Sequence, residues 1–196
     1  MPTVTEVEDA RTAFIAGEPR YLFYRVATEL IDLSRRKMTS LSVAEALAVL
    51  LQTWNKNFYR FRGGFNEEDL TKIKALLNDH SAIIEKYRQR AIASLVSSEE
   101  EDVRMLFSRF ENVVGPVGAA KTLHLLAPSF FPLWDRAIAK AYRMNLNGDP
   151  SAEYIRFMRL SKKQCESLAE QGARWPDPLK AIDEYNYCTY TLRQKS

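Results

Sequence analysis

The residues with the most chemical potential lie between Val113 and Tyr142. Gly115-Pro116-Val117-Gly118 is a turn signal, since glycine tolerates positive φ and proline fixes φ. An alanine- and leucine-rich helix, Ala119 to Leu126, follows at once. Backbone N–H groups at a helix start opened by such a turn form an anion site suited to phosphate. Ala127-Pro128-Ser129 breaks the helix, and the apolar approach Phe130-Phe131-Pro132-Leu133-Trp134 leads to one carboxylate, Asp135, where a second helix begins, Arg136 to Arg143. A carboxylate in that position is either an N-cap or an acid/base held in a half-dry pocket.

The order of these pieces resembles the helix-hairpin-helix DNA glycosylases. Gly115-Pro116-Val117-Gly118 stands where that superfamily has its Leu-Pro-Gly-Val-Gly hairpin. Phe131-Pro132-Leu133-Trp134-Asp135 is similar to its Phe-Pro-Ile-Leu-Asp segment, whose Asp is the catalytic carboxylate. The resemblance is close over about thirty residues. It implies an all-α, two-lobed fold with the helix-hairpin-helix at about 99–127, and it favours a catalytic role for Asp135. It also implies DNA gripped by Gly115, Pro116, Val117 and Gly118, with room for a monovalent cation at the hairpin and otherwise no cofactor. Lys121, Thr122 and Arg136 would hold flanking phosphates. The hairpin here reads Gly-Pro rather than Pro-Gly, and it lies closer to Asp135 than in the family. Lyase members carry a Schiff-base lysine two residues past the second glycine. Ala120 occupies that position and Lys121 is one residue later, about 100° further round a helix. The expectation is therefore a monofunctional glycosylase that hydrolyses the N-glycosidic bond of a modified or damaged base. Such an enzyme serves base-excision repair or defence against modified foreign DNA. The alternatives are a non-catalytic helix-hairpin-helix module that grips DNA, with Asp135 only a cap, and a helical protein-interaction domain.

The elements that must position these residues are helices. Thr5-x-x-Glu8, Ser42-x-x-Glu45 and Ser98-x-x-Glu101 have the capping-box spacing. The first opens a helix to Ala16, ended by Gly17-Glu18-Pro19, and Arg20 to Arg35 follows with a helical stripe. The second opens an apolar helix, expected to be buried nearly all round, that runs into Gln52-Thr53-Trp54-Asn55-Lys56-Asn57-Phe58-Tyr59. In the glycosylases a comparable helix end lines the base pocket, so Gln52, Trp54, Asn55, Tyr59 and Trp134 are the candidate base-pocket residues. Aromatic rings there would stack on an extruded base, and amides would read its edge. Trp54, Phe58 and Phe61 serve equally well as core. Gly63-Gly64 is a loop, Asn66 an N-cap, and Ala82 to Leu95 a basic amphipathic helix. Asp149-Pro150 and Asp177-Pro178 each pair an N-cap with a proline at the first helical position. They open helices Ser151 to Gln171 and Leu179 to Arg193. Tyr185 and Tyr187 on the last are core residues or reach the pocket, and His124 reads as a packed histidine.

Composition narrows the alternatives. The chain has 196 residues, 46% of them hydrophobic, and a net charge of +3. That supports one globular domain over 1–196. Gly115 to Lys163 carries eight Lys/Arg against Asp135, Asp149 and Glu153, a local excess of 8 − 3 = +5, suited to a phosphate-facing surface. Two cysteines and two histidines build neither a zinc site nor an iron–sulfur cluster. No apolar run approaches a membrane span and no signal peptide is visible. The expectation is a cytoplasmic monomer with DNA as its partner.

Overall fold

A computed structural model describes residues 1–54, 56–60 and 64–192. Asn55, Phe61, Gly63 and Arg193 lie outside the described residues. The chain is all-α: no β-strand occurs among the described residues.

Local caps set most helix starts. Helix α1, Val4–Gly17, is opened by a capping box in which Thr3 Oγ1 accepts from Glu6 N at 3.3 Å and Glu6 accepts from Thr3 N at 2.8 Å. The box falls two residues earlier than Thr5/Glu8, because Thr3 offers the same spacing. Glu18 then ends α1 and caps α2, Pro19–Arg35. Ser42 and Glu45 exchange hydrogen bonds at the start of α3, Val43–Trp54. Helix α3 buries Leu47, Leu50 and Leu51 but leaves Val49 half exposed, so it is not buried all round. A short α4, Lys56–Arg60, precedes α5, Glu67–Asp79, which is boxed by Asn66 and Asp69.

Helix α6, Ser81–Arg88, stops well short of Leu95. Arg90 pulls the chain out of helix by binding both oxygens of Glu99, at 2.5 and 2.8 Å, and Ile92 N donates to Ser129 O at 2.8 Å. Two 3-10 turns, Ile92–Ser94 and Ser97–Glu99, follow. Ser98 sits inside the second, so it cannot take the extended geometry of an N-cap and the Ser98/Glu101 box does not form.

Helix α7, Glu100–Leu126, is two helices joined at Gly115, where φ is 73° and ψ 168°. The reason is local. Pro116 has no N–H to donate, and its ring would clash with the carbonyl four residues back, so the first half must end. Gly115 supplies the turn and Pro116 becomes the first residue of the second half. The expected four-residue turn is therefore one residue long, and Val117-Gly118 already belong to helix. Helix α8, Arg136–Ala141, is capped by Asp135; α9, Pro150–Glu170, by Asp149; α10, Pro178–Asn186, by Asp177. The last helix is α-helical only to Asn186 and continues as a π-helical segment, Tyr187–Leu192.

Helix α7 runs through the middle, against α9, α5, α3 and α2. Helix α1 packs on α10, which brings the two ends of the chain together. One contiguous buried cluster draws residues from α1 through α10, with Phe107, Phe110, Phe130, Phe131, Trp134, Tyr154 and Phe157 as its large members. Each such side chain contributes about 1.5–3 kcal/mol on burial.

Candidate active site

Asp135 is held from two directions. Its backbone is extended (φ −124°, ψ −177°), and Oδ1 accepts from Ile138 N at 2.8 Å, the N-cap bond of α8. Its other oxygen, Oδ2, accepts from Thr191 Oγ1 at 2.8 Å. Thr191 belongs to the π-helical segment, so the last helix reaches back to fix this carboxylate. The approach to Asp135 is anchored as well. Trp134 Nε1 donates to Pro116 O at 3.1 Å, and Tyr154 Oη donates to Pro132 O at 2.8 Å. The first of these ties the Gly115 junction to the Asp135 segment.

Lys121 approaches from the second half of α7. Its Nζ donates to Trp54 O at 2.5 Å and stands 5.9 Å from the Trp54 ring centroid. Burial pushes its amine down to about 8; nearby Asp135 opposes that shift and Arg20 adds to it. Trp54 is positioned from behind. Its ring stacks on Tyr24 at 6.0 Å with an interplanar angle of 14°. His124 is fully buried, with Nδ1 2.8 Å from Phe131 O and Nε2 3.0 Å from Tyr24 Oη. A carbonyl only accepts, so Nδ1 carries the proton and the bare Nε2 accepts from the tyrosine. Burial lowers the His124 pKa, which agrees with a neutral ring. The chain Phe131–His124–Tyr24–Trp54 is thus a set of fixed supports behind the indole.

Asp135, Lys121, Trp54 and Trp134 line one cavity of roughly 50 Å³. Leu133 and Ile138 complete its apolar wall beside Asp135. Helices α1, α2 and α10 supply the opposite wall with Phe14, Arg20, Lys180 and Asp183, and Tyr187 closes it. Lys180 is nearly buried. It pairs with Asp183 at 2.6 Å and faces the rings of Phe14 and Tyr24 at 4.8 and 4.5 Å. Behind it Glu184, also buried, meets Arg11 at 2.9 Å; burial raises the Glu184 pKa against the pull of Lys180 and Arg11. Arg20 lies over the Tyr187 ring at 4.7 Å. A cavity of this size holds a few waters.

The candidate residues are not all together. Gln52 is exposed and outside the cavity wall, because Leu50 and Leu51 face the core and the next position on the helix turns outward. Tyr59 is 2% exposed, edge-on to Phe58 and Phe65, and is a core residue. Trp134 lines the cavity but is 1% exposed, enclosed by Phe107, Tyr154 and Phe157, which leaves no open face for stacking. Thr122 is fully buried, so its hydroxyl does not face a phosphate. Gly115 and Gly118 are buried, while Pro116 and Val117 are half-buried. The Phe58 ring covers Gly115 so closely that a Cβ there would lie 2.5 Å from its Cε2. Access to the backbone of this junction is limited to Pro116 and Val117.

Arg20, Lys180, Asp183, Tyr24 and Thr191 were not legible as site residues. Lys180, Asp183 and Glu184 have the spacing of neighbours on a helix, but nothing in that spacing places α10 beside Asp135. Much of the basic excess is internally paired: Arg156 with Glu153, Arg159 with Glu100, Lys162 with Glu166. Arg136, Lys140 and Arg143 are exposed and, among the described residues, have no ion pair. They lie on α8 and just beyond it, beside Asp135.

The chain matches no protein-family model, no curated protein and no solved structure. Among the described residues no helix is long and apolar enough to cross a membrane, and no group of three or more His, Cys, Asp and Glu could hold a metal ion.

Proposed function

We propose that this protein is a DNA glycosylase that hydrolyses the N-glycosidic bond of a modified or damaged base. The observation that carries the reading is that Asp135 and Lys121, from two different segments, line one cavity walled by Trp54. The exposed Arg136, Lys140 and Arg143 beside it form a cationic track for the DNA backbone. The base leaves the stack to enter the cavity, at a cost of a few kcal/mol. As the bond from C1′ to the base nitrogen breaks, its electron pair leaves with the base and positive charge builds on the sugar. Ionised Asp135 stabilises that charge and takes a proton from the water whose oxygen bonds to C1′. The base gains a proton, and free base and an abasic sugar result.

One observation favours a second reading, a DNA-binding module without catalysis. Both oxygens of Asp135 already accept hydrogen bonds, as those of a purely structural cap would. Asp135→Asn separates the two readings. Asn caps helices about as well as Asp, so the substitution keeps the cap and removes the charge. The test is release of free base from DNAs bearing alkylated, oxidised, deaminated and hypermodified bases. A glycosylase loses about 10²–10³-fold in rate in Asp135→Asn, the cost of one preorganised charge partner, while the variant still binds DNA. Absence of release by wild type from every substrate, with DNA bound equally by both proteins, establishes the binding module. Borohydride trapping of wild type against Lys121→Met reports whether Lys121 forms a covalent adduct.

A further inference from the structure

The apolar stripe of α2 faces away from the core. The helix buries Ala27 and Ile31, while Leu22 (58% exposed), Phe23 (46%) and Val26 (44%) stay outside. Nine large hydrophobic side chains are exposed among the described residues, and these three fall within one five-residue stretch. They are therefore a patch rather than the single apolar residues scattered over any surface. Leu33 is half-buried and lies three turns beyond Leu22, within about 20° of it around the helix. Leu22, Val26 and Leu33, with Glu29 between the last two, follow the alternating four- and three-residue steps of a helix that packs lengthwise on another helix. The charges on this face are unused as well. Arg25 and Glu29 are exposed and, among the described residues, have no ion-pair partner; Arg25 lies only over its neighbour's ring, Tyr21, at 5.8 Å. They stand four residues apart, but in the weaker order for pairing within one helix, which favours the acid first.

We propose that the outer face of α2 is a dimer interface, on which a second copy of this chain lays its own α2 antiparallel about a twofold axis near Ala27 and Thr28. The face carries its own complement. In a twofold pair, residue i of one copy meets residue j of the other and j meets i, so the two lie at equal distances from the axis. Arg25 and Glu29 are centred on residue 27, and Leu22 and Leu33 on the bond between 27 and 28. One axis therefore sets each Arg25 against the partner's Glu29 and each Leu22 against the partner's Leu33. Val26 lies about 2 Å along the helix from that axis, where the two copies meet. A parallel pairing would instead bring Arg25 against Arg25 and Glu29 against Glu29, so the charges choose the antiparallel one. One helix against one helix is a small interface, which makes the dimer a reversible one.

The experiment is sedimentation equilibrium of the full chain over a range of concentrations. Wild type, Arg25→Glu, Glu29→Arg, the Arg25→Glu/Glu29→Arg double variant and Val26→Asp are compared, with folding checked by circular dichroism. Wild type should show a monomer–dimer equilibrium. Each single charge variant should weaken it by about tenfold or more, because symmetry turns two attractive contacts into two repulsive ones. The double variant restores opposite charges across the axis and should recover most of that loss. An equimolar mixture of Arg25→Glu and Glu29→Arg is the sharpest sample: each pairs poorly with itself, and together they should form a mixed dimer of near wild-type strength. Wild type that stays monomeric up to its solubility limit would overturn the proposal and leave the face to a different partner. A dimer unmoved by Val26→Asp, or a mixture that pairs no better than its components, would overturn it too. All three positions are exposed, so pairing lost with circular dichroism unchanged reports the interface and not the fold.

Discussion

Gly115→Ala tests the junction on which the site is built. Gly115 has φ 73° and ψ 168°, a region that is essentially glycine's alone, and holding another residue there costs about 1–3 kcal/mol. The added Cβ would lie 2.5 and 2.8 Å from Cε2 and Cδ2 of Phe58. That ring is edge-on to the buried Tyr59 at 5.3 Å, so its retreat disturbs packing, and overpacking of this kind costs about 1–3 kcal/mol more. Loss of freedom in the unfolded chain returns about 0.4–1 kcal/mol. The net destabilisation is about 1–5.6 kcal/mol, which for a chain of this length lowers Tm by roughly 2–22 °C. Two other glycines divide the effect into parts. Gly172 has φ +95° with nothing near its missing Cβ, and Gly17 has an ordinary φ and open space. Thermal and guanidinium unfolding should rank the alanine variants Gly17, Gly172, Gly115 in order of increasing loss. Phe58→Leu, combined with Gly115→Ala, should recover the steric part and leave the conformational part. A Gly115→Ala protein no less stable than Gly172→Ala would refute the clash. One that melts with wild type would refute the junction itself.

Two further predictions concern the supports of the cavity. Lys121 should react with an acylating reagent along a pH profile centred near 8, well below that of surface lysines, as peptide mapping after pulse labelling would show. Its folded pKa lies below the unfolded 10.5, so the unfolded chain binds more protons between about 8 and 10.5, and this residue's contribution makes stability rise with pH across that window. Lys121→Met should flatten that rise. Tyr24→Phe removes the donor to His124 Nε2 and leaves a fully buried ring nitrogen unpaired, at a cost of about 1–3 kcal/mol in denaturant unfolding. The same variant loosens the stack behind Trp54, so the indole emission should shift while far-ultraviolet circular dichroism stays unchanged.

What could be read from the sequence was local. The Asp-Pro starts of α9 and α10, the Glu18-Pro19 break and the Asn66 cap all depend on residues within one turn of each other, and the structure places them as expected. The all-α class followed from the same signals. Register was harder. Gln52 faces outward because two leucines before it claim the core, and Tyr59 faces inward because Phe58 and Phe65 surround it. Neither was decided by residue type. The order Gly-Pro at 115–116 carried more than the turn it suggested. It assigns the positive φ to the first residue and starts the helix at the second, which buries Gly118 inside helix. The second wall of the cavity was out of reach, since Arg20 on α2 and Lys180 on α10 both lie more than forty residues of chain from Asp135.

The cap at Asp135 and a catalytic carboxylate at Asp135 are not competing descriptions of one geometry. An ionised carboxylate offers about four lone-pair directions, and the bonds from Ile138 N and Thr191 Oγ1 use two of them. The other two remain open, as the proposed catalysis would require. A group that must act on a bond is more effective when its own orientation is fixed, and two bonds from elements far apart in sequence fix it better than a cap alone. Capping α8 requires only the Ile138 bond. The second bond needs Thr191, and Thr191 reaches Asp135 from a π-helical turn, a distortion that departs from regular helix and that proteins concentrate at functional sites. Asp149, the cap of α9, is likewise held from a distance, its Oδ2 accepting from Arg104 Nη2 at 2.6 Å, whereas Asp177 caps α10 through Lys180 N. If Asp135 were only a third such cap, Thr191→Val would change stability alone. A catalytic Asp135 predicts that the same substitution also slows base release.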